Sequence, residues 1–246
     1  MHPALTRLDH RPWPLPAGRW TWRQSWCDLL FAHWPVPASA LRHLVPAELD
    51  IDEFEGISWI GVVPFRMKGV APRHFPDLPW LSAFPEINLR LYVTHRGKPG
   101  VWFLSLDATN PVAIWGARTF YYLPYFRAKI QVAATDDEIH YRSQRRLRHG
   151  GHRFEARYRP ASSPSESPPG TLEHFLTERY CLYSRSPAGK IFRCEIHHHP
   201  WPLQQAEGEI ELNELFHGFV EMPTSPPTLL HFARQIDVVV WPLRAC

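Results

Sequence analysis

The stretch from Glu86 to Val93, EINLRLYV, holds the residues best suited to chemistry. Side chains alternate between the two faces of an extended strand, so Glu86, Asn88, Arg90 and Tyr92 share one face while Ile87, Leu89, Leu91 and Val93 share the other. A carboxylate, an amide and a guanidinium then point the same way. Such a stripe is either the solvated side of a sheet or the lining of a pocket, where Arg90 would keep Glu86 ionised and both would grip a polar ligand. Period-two spacing alone does not choose between these. We expect the polar face to point inward, with Ile87, Leu89 and Leu91 packed against outer helices.

A second concentration is ARTFYYLPYFRAKI, Ala117 to Ile130, in which Arg118, Tyr121, Tyr122, Tyr125, Arg127 and Lys129 surround Leu123-Pro124. Tyrosines combine an apolar body with a hydroxyl, so the stretch suits a ligand pocket or a packed strand corner bent at the proline. His197-His198-His199 invites a metal reading, but neighbouring strand residues point to opposite faces, so three in a row cannot bind one ion. At most His197 and His199 converge. His198 belongs with Phe192, Cys194 and Ile196 on the apolar face and is kept as a ligand-binding candidate. No metal and no cofactor are expected.

Arg142, Arg145, Arg146, Arg148, Arg153, Arg157 and Arg159 make the one basic concentration, with Phe154, Ala156 and Tyr158 alternating along its second arm. This is the pattern of a half-buried hairpin turning at His149-Gly150-Gly151, its arginines solvated. No RNA-recognition, zinc-finger or helix-turn-helix signature accompanies the charge, and the net charge of +3 is too mild for a polymer footprint, so no nucleic-acid partner is expected. There is no G-x-S-x-G elbow, phosphate-binding loop or dinucleotide glycine fingerprint.

The elements that must position these residues read as strands. The chain has 246 residues, 44% hydrophobic and 21% charged, enough apolar material for a sizeable core. Its 26 prolines and 13% aromatics, against 13 glycines and 3 methionines, favour many extended segments joined by proline-bounded turns over a helical bundle. Strands are expected over Trp20–Trp34, Ile57–Phe65, Glu86–Val93, Gly100–Asp107, Arg118–Leu123, Arg127–Ala133, His140–Arg159 (as a hairpin), Lys190–His199 and Gln235–Trp241. Short helices are expected at Ala38–Leu44, started by Pro37 and stopped by Pro46, and at Thr171–Leu182. We expect a single domain over 1–246, with a proline-rich lead over 1–19 and an exposed loop over 161–170. Cys27, Cys181, Cys194 and Cys246 form no C-x-x-C pair and read as reduced thiols. No stretch reaches the ~18 consecutive apolar residues of a membrane span, so no membrane partner is expected and the location is read as cytoplasmic.

Taken in order, LLFAHWPVPASALRHLVPAELDIDEFEGISWIGVVPFRM, EINLRLYV, GVWFLSLDA, ARTFYYLPYFRAKI and HHPWPL resemble the uncharacterised YqjF-like family, from about Trp26 to Trp241. That family is similar to acetoacetate decarboxylase. The resemblance implies a mainly β, antiparallel, cone-like barrel with a few short peripheral helices and an internal pocket. Decarboxylases of this superfamily use a Schiff-base lysine in a glycine-aromatic-proline-lysine-lysine motif. Here Pro124 fits the motif's proline, but Tyr125 and Phe126 stand where the lysines would be, and no arginine stands near His33 to Pro35 where the decarboxylases keep one. Glu86 matches their pocket glutamate. The resemblance therefore implies the scaffold without its nucleophile, and Lys68, Lys98, Lys129 and Lys190 are the chain's entire lysine complement.

Two functions of different class follow. The first is a small-molecule-binding barrel with Glu86, Asn88, Arg90, Arg118, Tyr122, Tyr125 and His198 as ligand-binding residues. The second is an enzyme acting on a carbonyl or carboxylate metabolite, with Glu86 as general acid or base and Arg90 or Arg118 as anion clamp. The ligand's identity, and assembly into a homo-oligomer, are left open.

Overall fold

Pro35-Val36-Pro37 closes the first long strand and Pro37 opens a short helix, as proline's fixed backbone angle and missing N–H require. The computed structural model describes residues 1–78, 81–135, 138–147, 151–221, 223 and 225–246. In chain order the elements are β1 (Trp22–Val36), α1 (Ala38–Leu41), β2 (Asp50–Ile51), β3 (Ser58–Pro72), β4 (Phe84–His95), β5 (Lys98–Ala108), α2 (Pro111–Tyr121), β6 (Tyr125–Ala134), β7 (Ile139–Arg145), β8 (Arg153–Pro160), α3 (Leu172–Thr177), β9 (Cys181–Arg185), β10 (Ile191–His197), β11 (Gln204–Asn213), β12 (Leu229–Val240) and β13 (Arg244–Ala245). The protein is mainly β, with its helices short and peripheral.

The strands join into one sheet that closes on itself by two routes. Strands β12, β1, β3, β4 and β5 lie side by side, and β6, β7, β8 and β11 lead from β5 back to β12. A second return runs from β5 through β9 and β10 to β12. Most pairings are antiparallel; β5 meets β6 and β9 in parallel. This partly barrel-like closure explains a feature of the central strands: β1, β3 and β4 are buried on consecutive residues, not alternate ones. Their two faces belong to separate apolar clusters. Ile87, Leu89, Leu91 and Val93 join Leu41 of α1 and Val45 beyond it with Tyr141, Phe154 and Tyr158, whereas Phe31, Val63 and Phe65 join Tyr125, Trp201 and Leu203. The apolar face of β4 thus packs on strands of the barrel as well as on a helix.

Where a strand is expected over Arg118–Leu123, the chain is helix to Tyr121, and Tyr122 caps it. Asn110 Oδ1 accepts hydrogen bonds from the N–H groups of Val112 and Ala113 at 3.0 and 3.2 Å, and Pro111 follows it, so the chain carries a capped helix start that the aromatic content hides. The helix expected over Thr171–Leu182 is confined to α3, capped by Thr171, and the chain is already in β9 by Cys181. Strand β11, rich in glutamate and largely exposed, has no counterpart among the expected strands; it pairs with β8.

The hairpin of β7 and β8 has the expected inner face of Phe154, Ala156 and Tyr158, while Arg148, His149 and Gly150 lie outside the described residues. Arg145 departs from the expected solvated face. It is buried and its guanidinium meets Asp107 of β5 at 2.8 Å, because it continues the inward series of Ile139, Tyr141 and Ser143. The 161–170 segment is exposed. The proline-rich lead is largely exposed but anchored to the sheet: Arg11 is buried, and His10 stacks on His197 at 5.3 Å.

Candidate functional site

Strand β4 has β3 on one side and β5 on the other, so residues of its polar face stand in the middle of a wall. Glu86, opposite Phe65 and Ala108, is 2% exposed and accepts a hydrogen bond from the Tyr125 hydroxyl at 2.8 Å. Burial pushes its carboxyl up to about 8, outweighing the downward pull of the Tyr125 hydrogen bond and of the Arg90 charge. Asn88, also buried, turns its Oδ1 to the Nε of Arg90 at 3.0 Å. The Arg90 guanidinium carbon lies 5.5 Å from the Phe31 ring centroid, a cation over an aromatic face.

The expected ion pair is not formed. Among the described residues no carboxylate lies within 4.0 Å of Arg90, and Glu86 is held in its neutral range by burial instead of ionised by the arginine. Arg90 remains half-buried, with only its Nε hydrogen-bonded among the described residues.

Sequence reasoning misses two neighbours of this group. His33 of β1 is wholly buried and shares a 2.6 Å hydrogen bond with the Tyr92 hydroxyl, leaving Nδ1 without a protein partner. Burial and then the charge of Arg90 hold its imidazole well below the usual range, in the neutral form. Gly61 makes the approach feasible: a Cβ there would stand 3.0 Å from two ring atoms of His33 and 3.3 Å from Cγ of Arg90. The other is Tyr141, in the apolar cluster on the opposite face of β4 but within electrostatic reach of Glu86, wholly buried with its hydroxyl unpartnered. A histidine inside the apolar run LLFAHW was the one signal for the first; nothing local marks the second.

The remaining expected residues lie apart from Glu86. Arg118 is exposed on α2, and its guanidinium donates to the backbone carbonyl of Tyr125, which secures the turn into β6 and occupies the group. Tyr122 caps α2 in the left-handed conformation at φ 53° and rests its ring 5.3 Å from that of Phe192. It lines a cavity of about 390 Å³ with Trp102, Phe103, Pro124 and Tyr183. That cavity opens where β9 pairs β5 at Val101 and Trp102 but β6 only from Leu106 onward. Phe103 belongs to both places, lining the cavity and standing opposite Arg90 across the ladder.

His198 sits in an aromatic nest, stacked on Tyr180 at 4.8 Å and tilted against Trp201 at 5.3 Å, and burial lowers it to about 4. Its Nδ1 engages the carbonyl of His199, while His197 faces His10 and the carbonyl of Arg7, so the histidines turn to different partners. Lys129 is exposed on β6.

The chain matches the DUF2071 family, described as an uncharacterized conserved protein, over residues 23–237. It is 46% identical over 240 residues to the uncharacterized protein YqjF of Bacillus subtilis (strain 168), covering 97% of this chain and 98% of that one. Among solved structures it is similar to an acetoacetate decarboxylase with a TM-score of 0.63 at 12% identity, over 93% of this chain and 90% of the other. It is also similar to the enduracididine biosynthesis enzyme MppR complexed with the condensation product of pyruvate and imidazole 4-carboxaldehyde (TM-score 0.62, 11% identity, 92% and 88% of the two chains). An acetoacetate decarboxylase-like enzyme from Sphingomonas wittichii RW1 gives 0.62 at 13% identity over 96% and 97%. At these identities the likeness is one of fold.

Proposed function

From the premise that the chain belongs to the DUF2071 family and has an acetoacetate decarboxylase-like fold, we propose that it binds a small carboxylate- or carbonyl-bearing molecule at Arg90, without forming an imine. The carrying observation is a half-buried guanidinium, in the middle of a covered sheet, whose terminal nitrogens have no carboxylate partner among the described residues. A cation partly withdrawn from water gains from pairing with an anion, and a planar carboxylate matches its fork. Asn88 fixes the orientation of Arg90 through Nε. Glu86, protonated at neutral pH, lets an anion approach without repulsion and offers it a donor. Phe103, which lines the 390 Å³ cavity and pairs with Arg90 across the ladder, links that cavity to the arginine.

Lysine placement supports the absence of imine chemistry. Lys68, Lys129 and Lys190 are exposed, and Lys98 lies near Glu195, away from this face of β4. The enzyme reading keeps one specific support: a carboxyl raised to about 8 beside the Tyr125 hydroxyl is a competent proton donor to a bound carbonyl.

Calorimetric titration with pyruvate and acetoacetate tests the reading. Saturable binding is expected, weakened about tenfold or more in Arg90→Gln, the scale of one charge-assisted hydrogen bond. Equal binding by Arg90→Gln, or a borohydride-trapped lysine adduct in the intact mass, overturns it. In the enzyme reading Glu86→Gln keeps binding and loses turnover.

A further inference from the structure

We infer a second ligand site, independent of the Arg90 pocket, that takes a small phosphate-bearing molecule between the N-terminal lead, β10 and the chain's last turn. A cavity of about 260 Å³ lies there, walled by Pro14, Pro16 and Trp241 and edged by Lys98, Arg193 and Arg244. Glu195 is the one acidic side chain lining it among the described residues.

The charges do not balance. Glu195 Oε2 accepts from Arg11 at 2.5 Å and from the Trp13 indole at 2.7 Å; its Oε1 takes Arg193 Nε at 3.0 Å and faces Lys98 Nζ at 3.5 Å. One carboxylate therefore answers Arg11, Arg193 and Lys98 together, and its lone pairs are committed. Arg244 adds a further cation, donating to the backbone carbonyl of Ala17, which neutralises nothing. The positive excess faces a cavity whose other walls are apolar, so field lines concentrate there instead of spreading into solvent.

A phosphate monoester carries a charge of about −1.5 to −2 at neutral pH, enough to offset most of this excess, and its oxygens suit the donors of Arg193 and Arg244. The flat apolar wall of Trp241 and the two prolines would take a short organic body. Residues 14 to 16 form part of the wall, so occupancy would also hold the N-terminal lead in place.

The experiment uses the full chain and inorganic pyrophosphate, titrated calorimetrically at constant ionic strength set with sodium chloride. Saturable one-to-one binding is expected, weakened about tenfold or more in Lys98→Gln and in Arg244→Gln and unchanged in Arg90→Gln. The pyrophosphate-induced rise in Tm, read for each variant against its own unliganded Tm, keeps the comparison valid where a variant is less stable. Absence of saturable binding, or binding that survives both Lys98→Gln and Arg244→Gln, overturns the site. Tighter binding of citrate than of pyrophosphate overturns its assignment to phosphate. Loss of pyrophosphate binding in Arg90→Gln alone would reassign the anion to the first pocket.

Discussion

Strands β4 and β8 carry the same alternation of charged and apolar residues and put it to opposite uses. On β8, Arg153, Arg157 and Arg159 point to solvent; Glu214, just past the end of β11, meets the first at 2.8 Å, and Glu211 and Glu207 of β11 meet the others at 2.6 and 2.7 Å. On β4 the charged face is covered, Glu86 is neutral, and Arg90 has an amide for its neighbour. The difference lies in what covers the second face. Strand β8 is roofed on one side by the core, whereas β4 sits in the wall common to both closed circuits of the sheet. Charge that solvent and complementary neighbours screen contributes little; charge held in a wall must be neutralised, paired or offered to a ligand.

The sharpest way to break the comparison uses Arg145, which shares the basic hairpin with the β8 arginines but faces inward. Its side chain is 4% exposed and that of Asp107 1%, with the Arg145 guanidinium carbon also 4.0 Å from the Phe126 ring centroid. Arg145→Ala should leave a buried carboxylate unpaired and cost about 3–5 kcal/mol in urea unfolding. Replacing Asp107 and Arg145 together with leucines should recover most of that loss. A single-variant cost below about 1 kcal/mol would place Arg145 with the solvated arginines.

Next in size is the pH dependence of Glu86. The folded state holds its proton to about pH 8 while the unfolded chain releases it near 4.5, so the folded state binds more protons between those values. Stability from this group is therefore fully present below pH 4.5, falls as pH rises, and levels off above pH 8. Glu86→Gln does not titrate, so relative to the wild type it should gain up to about 4 kcal/mol between pH 5 and pH 8. A difference that stays flat with pH, or that slopes the other way, would mean Glu86 is ionised when folded and would revive the Arg90 pair.

The alternation of EINLRLYV is legible in the sequence because backbone pleating imposes it on any strand. Its burial on both faces is not, because the strands that cover it come from much later in the chain. The Glu86–Tyr125 bond joins residues 39 positions apart, and no local rule brings them together. The acetoacetate decarboxylase-like fold was legible through resemblance, and the short helix after Pro37 through proline chemistry. Helix α2 was missed because Trp115, Phe120 and Tyr121 favour strands by propensity, while Asn110-Pro111 holds the cap that decides the matter. On that helix Arg118 spends its guanidinium on the Tyr125 carbonyl, and Tyr122, on the helix cap, lines the 390 Å³ cavity and does not contact Glu86.

The smallest expected effect belongs to the solvated ladder and tests the other half of the comparison. Arg157 meets Glu211 at 2.6 Å and Glu209 at 3.6 Å, with side-chain exposures of 47%, 35% and 72%. Water already solvates these groups, so forming the pairs removes little hydration and gains little Coulomb energy, while holding long side chains in register costs rotamer freedom. Arg157→Gln should change stability by less than about 1 kcal/mol, and ~1 M salt, where the Debye length is about 3 Å, should erase most of that change. An effect above about 2 kcal/mol that resists salt would mean the ladder acts as a desolvated network, and the contrast with β4 would then be one of degree.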